Sequence, residues 1–207
     1  MIRVQQQAEP QNFEADVRQP GAAFLAKNPR PTSKEFGKPN NFWKKIAGDL
    51  YDAYSGVCSY SGFYIPLRGG TVDHFLPKST FPELAYEWSN YRLASFRMNL
   101  HKGDSADVMD PFTVQTGWFI IDFPSCLVRP ADDLTGITLE QVARTIEVLK
   151  LNDDDDLVQE RCNIMLDFVD GDVTLRHLQR RYPFIAAEIE RQGLDQESAK
   201  LVFKRRE

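Results

Sequence analysis

Residues 57–72, VCSYSGFYIPLRGGTV, set the tightest limit on the fold. They are rich in β-branched and aromatic types, yet Gly62, Pro66, Gly69 and Gly70 interrupt them too often for a long strand. Two short strands joined by turns, a hairpin, are what such a stretch can form. Residues 112–129 alternate enough around Trp118, Phe119, Ile120 and Ile121 for a second hairpin.

Helical patterns occupy most of the rest. Phe42, Trp43, Ile46, Leu50 and Tyr54 recur at steps of three or four, which predicts an amphipathic helix closed by Gly56. After Pro82, ELAYEWSNY is long enough for one or two helical turns, and RLASFRMNLHKGD predicts a short helix stopped at Gly103. Thr138 with Gln141 fits a capping box before QVARTIEVLKLN. The acidic run Asp153–Asp156 stands directly before LVQERCNIMLDFV, where carboxylates favour a helix N-terminus more readily than they make a spaced cation loop. Beyond it, helices broken at Pro183 and Gly193 run toward residue 207. Short hairpins among many helices make the class α+β.

The chain reads as one largely helical domain in three stretches. Residues 1–40, with Pro10, Pro20, Pro29, Pro31 and Pro39, predict an extended N-terminal arm. Residues 41–130 form a core with its preceding helix, and residues 131–207 a helical region packing on it. Charge is uneven across them: residues 17–50 carry seven Lys or Arg against two acidic residues, whereas residues 131–172 carry twelve acidic residues against three basic ones. The net charge of −5 therefore does not exclude a polyanionic partner.

Cys58, Cys126 and Cys162 are an odd, scattered set, which argues against a dense disulfide framework and for a reducing, cytoplasmic location. The longest apolar stretch, GWFIIDF, is far below spanning length, and the start lacks a signal-peptide pattern, so no membrane role is expected. None of the three cysteines has a matched base nearby in sequence, which disfavours a thiol nucleophile.

Chemistry concentrates in residues 72–102, VDHFLPKSTFPELAYEWSNYRLASFRMNLHK. Asp73 is a hard oxygen donor suited to Mg²⁺ or Mn²⁺, and the adjacent His74 can accept a proton from water near neutral pH. Asn90 lies 16 residues beyond His74, and Asn99 nine beyond Asn90, in reach of the same strand end if a turn and a short helix intervene. Asparagine is also common in turns and caps, so each residue has a structural reading of its own.

Together, Asp73 and His74 in VDHFLPKS, Asn90 in EWSNYRLAS, and Asn99 with Lys102 in NLHK resemble the HNH nuclease family. The resemblance covers roughly thirty residues. It implies a ββα-metal core, a hairpin plus a short helix, within residues 41–130. It also implies His74 as general base, Asp73 and Asn99 as ligands of one divalent ion, and Asn90 as the brace of the loop that orients His74. Many members add two C-x-x-C pairs that hold zinc. Here Cys58, Ser61, Ser95 and Met98 stand at those positions, so no structural zinc is expected and packing by Phe63, Tyr64, Phe75, Trp88, Tyr91 and Phe96 must replace it.

The implied activity is metal-dependent hydrolysis of nucleic-acid phosphodiesters, DNA before RNA. Lys78, Arg92, Arg97 and Lys102, with the basic segment from Lys27 to Lys45, are the expected phosphate contacts. Small HNH proteins with helical flanks are similar to nuclease subunits of bacterial anti-phage systems of Septu and retron type, which implies an ATPase or other defence partner at the acidic region after residue 131. The competing reading is an inactive scaffold that keeps the shell and binds nucleic acid or a protein.

Overall fold

The computed structural model describes residues 1–67 and 69–203. Eight α-helices and two antiparallel two-stranded sheets make up the described chain, so the protein is α+β. The described residues divide into two compact units: the first contains those of 5–58 and 65–106, the second those of 1–4, 59–64 and 107–203.

In the first unit the expected extended arm of residues 1–40 is helical over Glu14–Lys27. A π-helical turn, Glu14–Arg18, runs directly into α1, Gln19–Lys27. Gln19 donates its backbone N–H to the Glu14 carbonyl, and Pro20, which has no N–H to place, falls in the first turn of α1 where none is needed. What overrides the proline-rich composition is burial: Phe13, Val17 and Phe36 are all within the core. Phe13 packs edge-on against Trp88 and Tyr91, with ring centroids 5.7 and 5.9 Å away. Gly21 allows α1 to approach Tyr86, since a Cβ there would lie 2.2 Å from the ring.

The amphipathic helix begins as a 3₁₀ turn, Phe42–Ile46, and continues as α2, Ala47–Ala53. Trp43, Ile46, Leu50 and Tyr54 are buried, as their spacing predicts, and Gly56 takes a left-handed φ of 66°.

The first hairpin differs from the one expected within residues 57–72. β1 is Gly70–His74 and pairs with β2, Tyr91–Ser95, in the register Asp73↔Arg92 and His74↔Tyr91. Upstream, Ile65 donates to Gly56 and Gly69 to Pro66, so those backbone groups are spent in turns before the strand starts. YRLA, expected to be helical, is instead strand and fully buried, because pairing and burial outweigh weak helical propensity. α3, Phe96–Lys102, follows without a break; Ser95 caps it by accepting from the Met98 N–H at 3.2 Å, and it stops at Gly103.

In the second unit β3, Phe119–Asp122, pairs with β4, Leu127–Pro130, as the alternation suggests. Side chains close both outer edges. Asn152 accepts from the Val128 N–H at 2.8 Å and donates to its carbonyl at 2.7 Å. On the other side Glu188 accepts from the Ile121 N–H and Gln192 donates to the Ile121 carbonyl. Such mimicry of a neighbouring strand leaves little edge for another chain to pair with.

α4, Gly136–Val148, starts before the expected Thr138–Gln141 box, and its flanking Thr135 makes no side-chain cap bond. α5, Asp155–Asp170, is capped by Asp154, whose Oδ1 accepts from the Leu157 N–H at 3.0 Å; the acidic run serves this helix start. α6, Leu175–Arg181, α7, Pro183–Arg191, and α8, Gln196–Phe203, complete the described chain. The helical reading of the C-terminus extends over residues 204–207, and the reading of residues 57–72 includes Arg68; these lie outside the described residues.

Cys126 and Cys162 form a disulfide across a separation of 36 residues, and Cys58 is a buried free thiol. The odd count concealed a pair, so it no longer supports a reducing location. Among the described residues, no helix is long and apolar enough to cross a membrane.

Candidate active site

Asp73 and His74 leave the end of β1 together, and the loop from Phe75 to Asn90 returns the chain to β2. Asn90 organises that loop from within. Its Oδ1 accepts from the Leu76 N–H at 2.8 Å, while its Nδ2 donates to the Leu76 and Leu84 carbonyls at 3.0 and 3.2 Å. The side chain is buried, so Asn90→Ala strands several backbone groups away from water. An expected loss of about 1–3 kcal/mol for each buried group left unpaired would appear as a lower thermal midpoint.

His74 is 6% exposed and packs edge-on against Trp43 and Tyr91, with centroids 4.8 and 5.2 Å away. Its Nε2 lies 2.9 Å from the Ala85 carbonyl. A carbonyl only accepts, so Nε2 carries the proton and Nδ1 keeps its lone pair. Burial, and next the Lys78 charge, push the imidazole pKa down from 6.5 to about 3. The ring is therefore neutral throughout the physiological range.

This has a consequence for stability. Between pH 6.5 and about 3 the unfolded chain binds a proton at this imidazole that the folded one does not, so stability falls as pH drops through that window. The slope from this group is at most about 1.4 kcal/mol per pH unit. Urea midpoints compared across these pH values should decline less steeply for His74→Ala than for the natural chain.

Strand neighbours ordinarily point to opposite faces, yet Asp73 and His74 both line one cleft of about 230 Å³ because the strand ends there. Trp43, Thr71, Lys78, Asn99 and Asp104 line it too. Asn99 donates through Nδ2 to Thr71 Oγ1 at 3.3 Å, which leaves its amide oxygen as the acceptor. Asp73 and Asn99 thus bring two hard oxygen donors to the wall of one cleft, a donor set that fits Mg²⁺ or Mn²⁺. No three His, Cys, Asp or Glu side chains gather into a metal-holding cluster among the described residues, so an ion there needs oxygen donors beyond these side chains.

Two expected phosphate contacts are buried instead. Lys102 has no exposed side-chain surface; its Nζ lies 3.2 Å from Asp73 Oδ1 and donates to the His74 carbonyl at 2.8 Å. Arg92 is equally interior, donating to the Ser89 and Tyr91 carbonyls at 2.8 and 2.9 Å with its guanidinium over the Phe75 ring. Sequence alone does not distinguish these buried cations from surface ones. Lys78, with Nζ 5.5 Å above the Trp43 ring, and Arg97 are partly exposed, and Lys27, Arg30, Lys34, Lys38, Lys44 and Lys45 are exposed. Arg18 belongs to Glu9, Glu14 and Glu87, whose carboxylates raise its pKa.

Trp43 and Asp104 are cleft residues that the sequence reading missed. Trp43 carried only a core signal within its helix, and Asp104 carried only its position just past Gly103. At the positions where relatives of the resembled family hold zinc, Cys58 accepts from the Ser95 N–H at 3.4 Å, Met98 is fully buried, and Ser61 accepts from the Phe63 N–H. Of the aromatic residues expected to compensate, Phe63, Trp88 and Tyr91 are buried and Tyr64 and Phe75 half-buried, whereas Phe96 is 72% exposed on α3.

No family model matches this chain, and no curated protein matches it.

Proposed function

We propose that the chain is a metal-dependent endonuclease of HNH type that hydrolyses phosphodiester bonds, with DNA as the first substrate to test. One observation carries the reading: a neutral histidine, a carboxylate and an amide, drawn from a strand end and the following helix, line the same cleft. The strand, loop, strand and helix order of residues 70–102 agrees with the ββα-metal arrangement.

In this mechanism Asp73 and Asn99 would hold one Mg²⁺ or Mn²⁺, which would neutralise charge building on the phosphate and the leaving oxygen. His74, fixed by its bond to Ala85, takes the proton from the attacking water at Nδ1. An approaching phosphodiester anion raises the basicity of a ring that burial and Lys78 have lowered. Lys78 draws the phosphate toward the cleft, and the exposed lysines from Lys27 to Lys45 add sequence-independent attraction. Asn90 keeps the loop behind His74 in place. No structural zinc enters this reading. A cytoplasmic anti-phage role, with an ATPase partner on the acidic segment after residue 131, is the setting we infer from the resemblance.

The scaffold reading draws on a different observation, the ion pair that already occupies Asp73. Incubating the chain with end-labelled single- and double-stranded DNA and RNA, with Mg²⁺, Mn²⁺ or a chelator, separates the two. Chelator-sensitive fragments are expected; intact substrates under every condition would leave only the scaffold.

A further inference from the structure

The carboxylate assigned to the ion is matched by an internal cation before any metal arrives. Lys102 and Asp73 have side chains 0% and 3% exposed, and Lys102 is also tied to the His74 carbonyl, so the ammonium cannot swing aside without stranding buried groups. Around the cleft, the carboxylates of Asp73 and Asp104 are offset by the ammonium groups of Lys102 and Lys78, while Asn99 adds no charge. Hard divalent ions are held in proportion to the negative charge of their ligands, and Mg²⁺ sites with few carboxylates are completed by phosphate oxygens of a substrate.

Resting on the nuclease reading, we propose that this metal site is completed by the substrate. The cleft of the free protein has no net negative charge with which to hold a divalent ion, and the phosphodiester supplies the missing charge and oxygen donors. Lys102 is then a positioning residue with an electrostatic effect: it orders Asp73 and the His74 backbone while suppressing metal capture in the absence of nucleic acid. Phosphate and ion enter as coupled ligands. By linkage, whatever factor DNA adds to metal affinity, the metal adds to DNA affinity.

The test uses the full chain carrying His74→Ala, so that DNA is not consumed. Mn²⁺ is titrated while the signal of the free aqueous ion is followed by electron paramagnetic resonance, without DNA and with a short oligonucleotide in single- and double-stranded form, each corrected for Mn²⁺ bound by DNA alone. The expected result is apparent Mn²⁺ affinity higher by about 5–150-fold with DNA, and the same factor in DNA affinity when Mn²⁺ is present. Adding Asn99→Asp, which supplies the missing charge without disturbing Lys102, should raise DNA-free affinity by about tenfold or more. Lys102→Met should do likewise where the protein folds.

Tight, stoichiometric Mn²⁺ binding to the free protein, unaltered by DNA, would overturn this inference and leave the nuclease reading standing. Failure to bind Mn²⁺ even with DNA would overturn both. An unchanged DNA-free affinity in Asn99→Asp would contradict the electrostatic explanation.

Discussion

Replacing His74 with alanine should slow cleavage by about 10²–10⁴-fold at saturating Mg²⁺ while nucleic-acid binding stays measurable. The expectation follows from a single hydrogen bond. Because Nε2 is 2.9 Å from the Ala85 carbonyl, the ring is committed to one tautomer, and only Nδ1 can take a proton. Its neutrality is secured by burial and by Lys78, so a base at this position would be in its working form without a pH adjustment. Single-turnover rates of the natural chain and His74→Ala measure this directly. Equal rates would remove the histidine from the chemistry, whatever the metal requirement.

Asp73→Ala is expected to cost about 3–5 kcal/mol of folding stability, because it leaves the Lys102 ammonium buried without its carboxylate. Loss of the hard oxygen donor should also abolish metal-dependent cleavage. The two effects can be separated. Combining Asp73→Ala with Lys102→Met removes both charges and should recover much of the stability, yet no activity. Asn99→Ala provides the converse case: its half-buried bond to Thr71 contributes about 1 kcal/mol, so cleavage should fall with little change in the urea midpoint. If Asp73→Ala were as stable as the natural chain, the ion pair would not have the structural weight assigned to it here.

The α+β class, the helix carrying Trp43 and Leu50, the hairpin around Ile120 and the capped start of α5 were legible because period, turn residues and caps are local signals. Strand β2 was not, since YRLA favours neither state strongly and becomes strand only by pairing with β1 across a sixteen-residue loop. The same holds for α1, where Phe24 meets Phe36 and the distant Tyr86, contacts that a proline-rich composition does not show. Within the cleft, residue types identified Asp73, His74 and Asn99 as able to hold an ion and move a proton. Their spacing could not reveal that Lys102 and Arg92 turn inward, because a basic side chain on a short element reads the same whether it meets phosphate or a buried carboxylate. Cys126 and Cys162 illustrate the same limit, since an odd count says nothing of which pair the fold brings together.

The most direct measurement is a crystal structure of His74→Ala bound to DNA and Mn²⁺, with the metal located by anomalous scattering. The account predicts one ion in contact with the Asp73 carboxylate, the Asn99 amide oxygen and a backbone phosphate, with a phosphodiester lying across the opening beside Lys78. An ion bound elsewhere, or nucleic acid bound on a face away from this cleft, would contradict it.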